Sequence, residues 1–284
     1  MPTYDTPQPI SVDLNMVAGD IRILAGERSD TVVTISPADT AGDRDVRDAQ
    51  DTVVDFASGR LTVRGPRSYS PFRRAGIVDV TIELPTGSSV DAKLGAGALR
   101  CSGTLGATRL KSGAGDLQVE DVASLTATTG MGQISAGNVA GDADLTTASG
   151  QLTVRSVRGR AVLANSNGDS WIGDAAGDLQ VRSANGSITA EHTAGLVTAN
   201  TALGDIRLTA VVSGTATLKT AAGRVEVGIQ QGTAARLDVH TDFGRVVNEL
   251  DAASGPAATD NRAEVKARTA FGDILIYRSV GAPS

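Results

Sequence analysis

Two histidines, one cysteine and a set of aspartates that follow glycine are the residues of this 284-residue chain best suited to chemistry. Their spacing limits what that chemistry is. His192 and His240 stand 48 residues apart and neither has a second ligand at metal spacing. Cys101 falls two residues after Leu99 in an alternating segment, an inward strand slot. Zinc, Cys-His and Ser-His-Asp arrangements therefore start from poor material. No GxxxxGK[ST] phosphate loop occurs, and GAGAL and GAGDL are not followed by a helical segment that would turn its N-terminus to a phosphate. The aspartates Asp116, Asp142, Asp169, Asp178, Asp205 and Asp273 each follow a glycine, as in calcium-binding nonapeptide rolls. Equivalent slots, however, hold Gln133, Gln151, Arg160, Ser187, Arg224 and Arg245, and the GGxG turn is missing. An arginine in a cation's ligand position repels the ion, so calcium is not expected. The sequence implies no catalytic residue, no metal and no cofactor.

What remains are candidates for contact rather than reaction. The stretch RGPRSYSPFRRAG (64–76) carries Arg67, Tyr69, Phe72, Arg73 and Arg74, and is the one locally basic, aromatic-bearing loop. It reads as an exposed loop, or as a contact for an anionic partner. Trp171 is the only aromatic residue between Phe72 and Phe243. In GDSWI the inward slots go to Ser170 and Ile172, which turns Trp171 outward, where an indole suits sugar contact.

The elements that position these residues follow from a repeat. Gly132, Gly141, Gly150, Gly159, Gly168, Gly177, Gly186, Gly195 and Gly204 are each nine residues apart. Gly97, Gly106 and Gly115 keep that spacing upstream, and Gly214, Gly223 and Gly232 continue it with one extra residue. After every second glycine the second and fourth residues are apolar (Leu117 and Val119, Ile134 and Ala136, Leu152 and Val154, Ile188 and Ala190, Ile206 and Leu208). The intervening halves alternate likewise, as in Ala161 and Leu163 or Leu179 and Val181. Period two marks a half-buried strand, and glycine marks the turn. A strand-turn-strand-turn unit of about 18 residues cannot bury its own apolar face. Stacking such coils at ~4.8 Å, each strand parallel to its equivalent one coil away, does so. The chain is therefore predicted to be all-β, a parallel β-helix or β-roll-like solenoid with about 18-residue two-strand coils. Its narrow interior explains 33 glycines alongside only 3% aromatics.

Three residues before alternate glycines stand Ser112, Thr129, Thr147, Asn165, Ser183, Thr201 and Thr220, with Thr241 and Thr269 further on. This column reads as a ladder satisfying turn backbone groups, with a ligand-binding stripe as the functional alternative. Residues 1–94 form a less regular β-rich capping region, in which ADTAGDRDVRD (38–48) reads as a charged loop. Repeats occupy 95–278 as one continuous domain with the cap, Phe243, Phe271 and Tyr277 are available to plug the far end, and 279–284 read as a disordered tail.

A net charge of −6 with signs interspersed argues against a nucleic-acid partner. No stretch approaches the ~18 apolar residues of a membrane span, so no membrane insertion is expected. The N-terminal MPTYDTPQPISVD has no signal-like apolar run, which makes cytoplasmic the default expectation.

GDIRI near the N-terminus, the LPTGSSV step (84–90) and the tandem GDLxV…GxxxL repeats together resemble the DUF4097 family of β-strand-repeat proteins over roughly residues 10–278. That resemblance implies a β-helix-like solenoid without established catalytic residues. The family's adhesin name rests on repeat architecture, so the resemblance also leaves a surface role open. The expectation for function is a non-enzymatic scaffold or adhesin-like interaction module that binds a protein or surface partner or associates with itself. The alternative is a carbohydrate-binding or carbohydrate-processing β-helix.

Overall fold

Alternating residues and spaced glycines dictate coils. The computed structural model, which describes residues 2–66, 75–250 and 261–279, contains them throughout. It divides into two compact units, Met1–Ala140 and Gly141–Ser284. In the second unit, Ala143–Ser149, Ala161–Asn167 and Leu179–Asn185 lie side by side and parallel, followed by the C-terminal half of Ile188–Leu203. Leu152–Val157, Ser170–Ala175 and the N-terminal half of Ile188–Leu203 form the facing sheet. The register is the predicted one: Leu152 pairs with Ser170, Ser170 with Ile188 and Ile188 with Ile206.

Between the sheets lies the core that period two requires. Leu152, Val154, Ala161, Leu163, Ile188, Ala190, Ile206 and Leu208 are fully buried. Each apolar column stacks like on like, and at ~0.8 kcal/mol per buried methylene this stacking is the main stabilising term. Two slots of this sheet break the pattern, Thr193 between Ala175 and Val211, and Ser170. Ser170 sits between Leu152 and Ile188, 1% exposed, and its hydroxyl has no hydrogen-bond partner among the described residues. Ser170→Val replaces an unpartnered buried hydroxyl with apolar volume and is expected to raise stability by about 1 kcal/mol. A urea midpoint that stays put or falls would show the slot to be already satisfied.

The first unit uses the same coil from Ser11 onward. Ser11–Ala18 and Ile21–Gly26 pair in parallel with Ser89–Ala96 and Leu99–Ala114, so the irregular region before residue 95 contains coils of its own. Its outermost coil, Arg60–Arg64 and Val78–Pro85, is covered by antiparallel strands. Val53–Ala57 pairs with Arg60–Arg64, Asp30–Pro37 with Val78–Pro85, and Thr3–Asp5 with Asp30–Pro37. The Tyr4 and Phe56 rings meet at 4.9 Å in this cap.

Three features differ from the sequence expectation. First, coils do not always stack in chain order. Ser11–Ala18 is inserted between Arg60–Arg64 and Ser89–Ala96, and Ile21–Gly26 between Val78–Pro85 and Leu99–Ala114. In the second unit Asn261–Phe271 lies between Ile206–Ala222 and Thr233–Phe243, and Ile274–Ser279 between Val225–Gln230 and Val246–Asn248. Long connections make this cheap, since closure entropy grows only logarithmically with loop length. Second, Phe243 and Phe271 plug nothing. They are 67% and 59% exposed and stack on each other at 5.0 Å and 7°, because the residue before the turn glycine points outward. Third, the charged segment is not simply a loop. Asp43–Gln50 is a helix with Asp43 and Asp45 in its first turn and Arg47 in its last, the signs its dipole favours. Its Asp48 is buried and accepts from the Gly76 N–H at 2.7 Å, while Asp45 accepts from Ile77 at 2.9 Å.

Candidate functional site

The post-glycine aspartates hold coil to coil. Gln133 N–H donates to Asp116 at 3.0 Å in the first unit. In the second unit the amides of Arg160, Ser187, Leu196, Arg224 and Arg245 donate to Asp142, Asp169, Asp178, Asp205 and Asp273 at 2.7–3.1 Å. Each carboxylate accepts from the turn amide of the neighbouring coil, whose own slot holds no aspartate. The slot that donates the hydrogen bond needs only its N–H, so it tolerates Gln, Ser, Leu or Arg. Two carboxylates stacked in neighbouring slots would repel. Asp20 shows the same use, accepting from Ala98 at 3.1 Å while its own N–H donates to Asp79 at 2.9 Å.

The hydroxyl and amide column is also turned to the turns. Ser112, Thr129, Thr147, Asn165, Thr201, Thr220 and Thr269 are all buried. Thr129 donates to Gly115 O (3.1 Å), Thr201 to Gly186 O (3.1 Å), Thr220 to Gly204 O (3.0 Å) and Thr269 to Gly223 O (3.0 Å). Asn165 donates to both Gly150 O and Gly168 O, at 2.9 and 2.8 Å. The turn-satisfying reading holds. A ligand stripe does not, because the threonines named and Asn165 face turn carbonyls inside the coil rather than solvent; the Ser112 and Ser183 hydroxyls are buried with no partner among the described residues.

The remaining candidates are scattered over separate surfaces. His192 pairs with Asp174 and His240 with Asp242, both at 3.1 Å and solvent-exposed. Cys101 takes the inward slot, and burial pushes its thiol up to about 12, which keeps it a neutral thiol rather than a nucleophile. Among the described residues no group of three His, Cys, Asp or Glu side chains is placed to hold a metal ion. Trp171 points outward between Thr153 and Thr189, half-buried. Its ring lies across Gly173, where an added Cβ would meet the indole at 3.1 Å. Tyr277 crosses Gly228 in the same way, and its hydroxyl is pushed up by burial and by Glu226, which Arg207 partly offsets. Arg207 and Glu226 themselves pair at 2.7 Å. The interaction candidates Arg67, Tyr69, Phe72, Arg73 and Arg74 lie outside the described residues. Sequence reasoning missed the role of the aspartates. Their partners are backbone amides, which no residue type marks in the sequence.

Parallel two-strand coils and internal hydrogen-bonding columns define an all-β repeat class of protein. The Toastrack DUF4097 family description matches residues 9–276, and the chain belongs to that family. No curated protein matches it. Among solved structures, it is similar to a candidate cell adhesion protein from Clostridium sporogenes, at 12% identity and a TM-score of 0.27, covering 98% of each chain. A candidate adhesin from Bacteroides fragilis is also similar, at 12% identity and a TM-score of 0.34, covering 97% of this chain and 95% of that one. Scores this low do not establish a shared fold. No helix among the described residues is long and apolar enough to cross a membrane.

Proposed function

We propose that this chain is a non-enzymatic scaffold that presents flat β faces to a protein or surface partner, an adhesin-like role. The observation that carries the reading is the internal use of the polar side chains. Asp116, Asp169 and Asp205 hold turn amides, Thr129, Asn165 and Thr201 hold turn carbonyls, and Cys101 is buried. Outside, opposite charges pair along and across strands, as in Arg268 with Asp238 (2.8 Å) and Arg224 with Glu226 (3.3 Å). Such a surface suits recognition by shape and pattern.

A reducing-sugar release assay against a polysaccharide panel tests the non-enzymatic reading. No release above a heat-denatured control is expected, and turnover of any polymer would overturn it. Trp171 supports a second reading, carbohydrate binding, because its ring lies over a side-chain-free Gly173 and makes a flat apolar platform. A glycan-array signal lost in Trp171→Ala would move that reading ahead.

A further inference from the structure

The terminal coil of the second unit, Thr233–Phe243 with Val246–Asn248, is covered on one side only. Among the described residues, Thr233–Phe243 pairs with Asn261–Phe271 and Val246–Asn248 with Ile274–Ser279, and neither has a second neighbour. The cost is visible slot by slot. Ala263, Val265 and Ala267 are 0–5% exposed, whereas their partners Ala235, Leu237 and Val239 are only half-buried. Ile274 is fully buried, but its partner Val246 is 44% exposed. The exposed Phe243–Phe271 stack borders the same coil. An eleven-residue strand with free backbone groups and a bare apolar row is the kind of edge that proteins usually block with a cap, a charge pointing inward or a proline. The first unit blocks its outer coil with antiparallel strands. This strand has no proline, and its charges, Arg236, Asp238 and Asp242, lie on the exposed positions.

We propose that a second copy of this chain occupies this edge, strand against strand. The charge pattern favours a copy of itself. When Thr233–Phe243 is laid antiparallel on its twin about Leu237, Arg236 falls opposite Asp238, Ala235 opposite Val239 and Thr233 opposite Thr241. Inward residues stay inward and opposite charges face each other in both halves of the seam, as a two-fold interface demands. Size permits it too. Eleven residues at ~3.3 Å and two sheets ~10 Å apart with their outer side chains give an end face of roughly 700 Å² per copy. A standard interface uses about 800 Å² per partner.

Sedimentation velocity on the full chain over a concentration series tests the proposal. The wild type is expected to move from 28.9 kDa towards twice that mass as concentration rises. Arg236→Asp sets carboxylate against carboxylate across the seam, Asp238→Arg sets guanidinium against guanidinium, and each alone is expected to remain at 28.9 kDa. An equimolar mixture of the two variants restores both opposite-charge pairs and is expected to recover the doubled mass, which a merely misfolded variant cannot do. A wild type that keeps its single mass at the highest soluble concentration would leave the edge to another protein or to the chain itself, and would overturn the proposal. So would a doubled mass that persists in Arg236→Asp.

Discussion

Replacing Gly186 by alanine is expected to destabilise the protein by about 3 kcal/mol or more, a large loss for the addition of one methyl group. Gly186 has φ +140°, a conformation that L side chains rarely adopt, and its N–H donates to Leu203 O at 2.8 Å. A Cβ built there would lie 2.1 Å from Gly168 O and 2.6 Å from its carbonyl carbon. No flexible side chain can move aside, because the obstacle is the backbone of the next coil. The turn must open, and with it the hydrogen bonds that set the ~4.8 Å coil spacing. Gly232 is the matched control. It also has positive φ, +76°, but nothing lies within 4 Å of its added Cβ. Gly232→Ala should therefore cost only the left-handed penalty of about 1 kcal/mol. Urea unfolding of both variants reads the difference, and equal losses would show that conformation alone, not coil-to-coil approach, makes glycine necessary at these turns.

The second large effect is expected at Asn165. Its side chain is 5% exposed and bridges two carbonyls, Gly150 O in the neighbouring coil and Gly168 O in its own turn. Asn165→Ala leaves both without that partner inside a nearly water-free turn, at a cost of about 2 kcal/mol. Threonine should recover most of the loss. Thr201 in an equivalent slot donates to Gly186 O, the counterpart of Gly150 O, at 3.1 Å and approaches Leu203 O of its own turn at 3.4 Å. In a ladder that serves the turns, the donor chemistry of the column matters while the particular residue does not.

These two positions also show why the body of the fold was readable and its ends were not. The turn conformation at Gly186 and the donor at Asn165 are demanded locally, so they recur at fixed spacing and the period exposes them. The order in which coils stack is not a local property. Every coil offers the same apolar alternation, so Ile206–Ala222 can accept either Thr233–Phe243 or Asn261–Phe271 as its neighbour, and it takes the latter. Val225 consequently pairs with Ile274. The helix Asp43–Gln50 was hidden for another reason. It is eight residues long, and its charges resemble those of a solvated loop, although Asp43, Asp45 and Arg47 are placed as helix ends prefer. Of the site, the inward positions of Cys101 and Ser170 and the outward turn of Trp171 followed directly from period two. The aspartates' partners did not, because a backbone amide leaves no mark in a sequence.

Internal use of the polar side chains is what separates a scaffold from a binding stripe, and equilibrium urea unfolding of wild type, Asn165→Ala and Asn165→Thr tests it most directly. Alanine is expected to lose about 2 kcal/mol, and threonine to keep a midpoint close to wild type. An alanine variant as stable as wild type would contradict this, since the column would then be free of structural duty and open to a ligand.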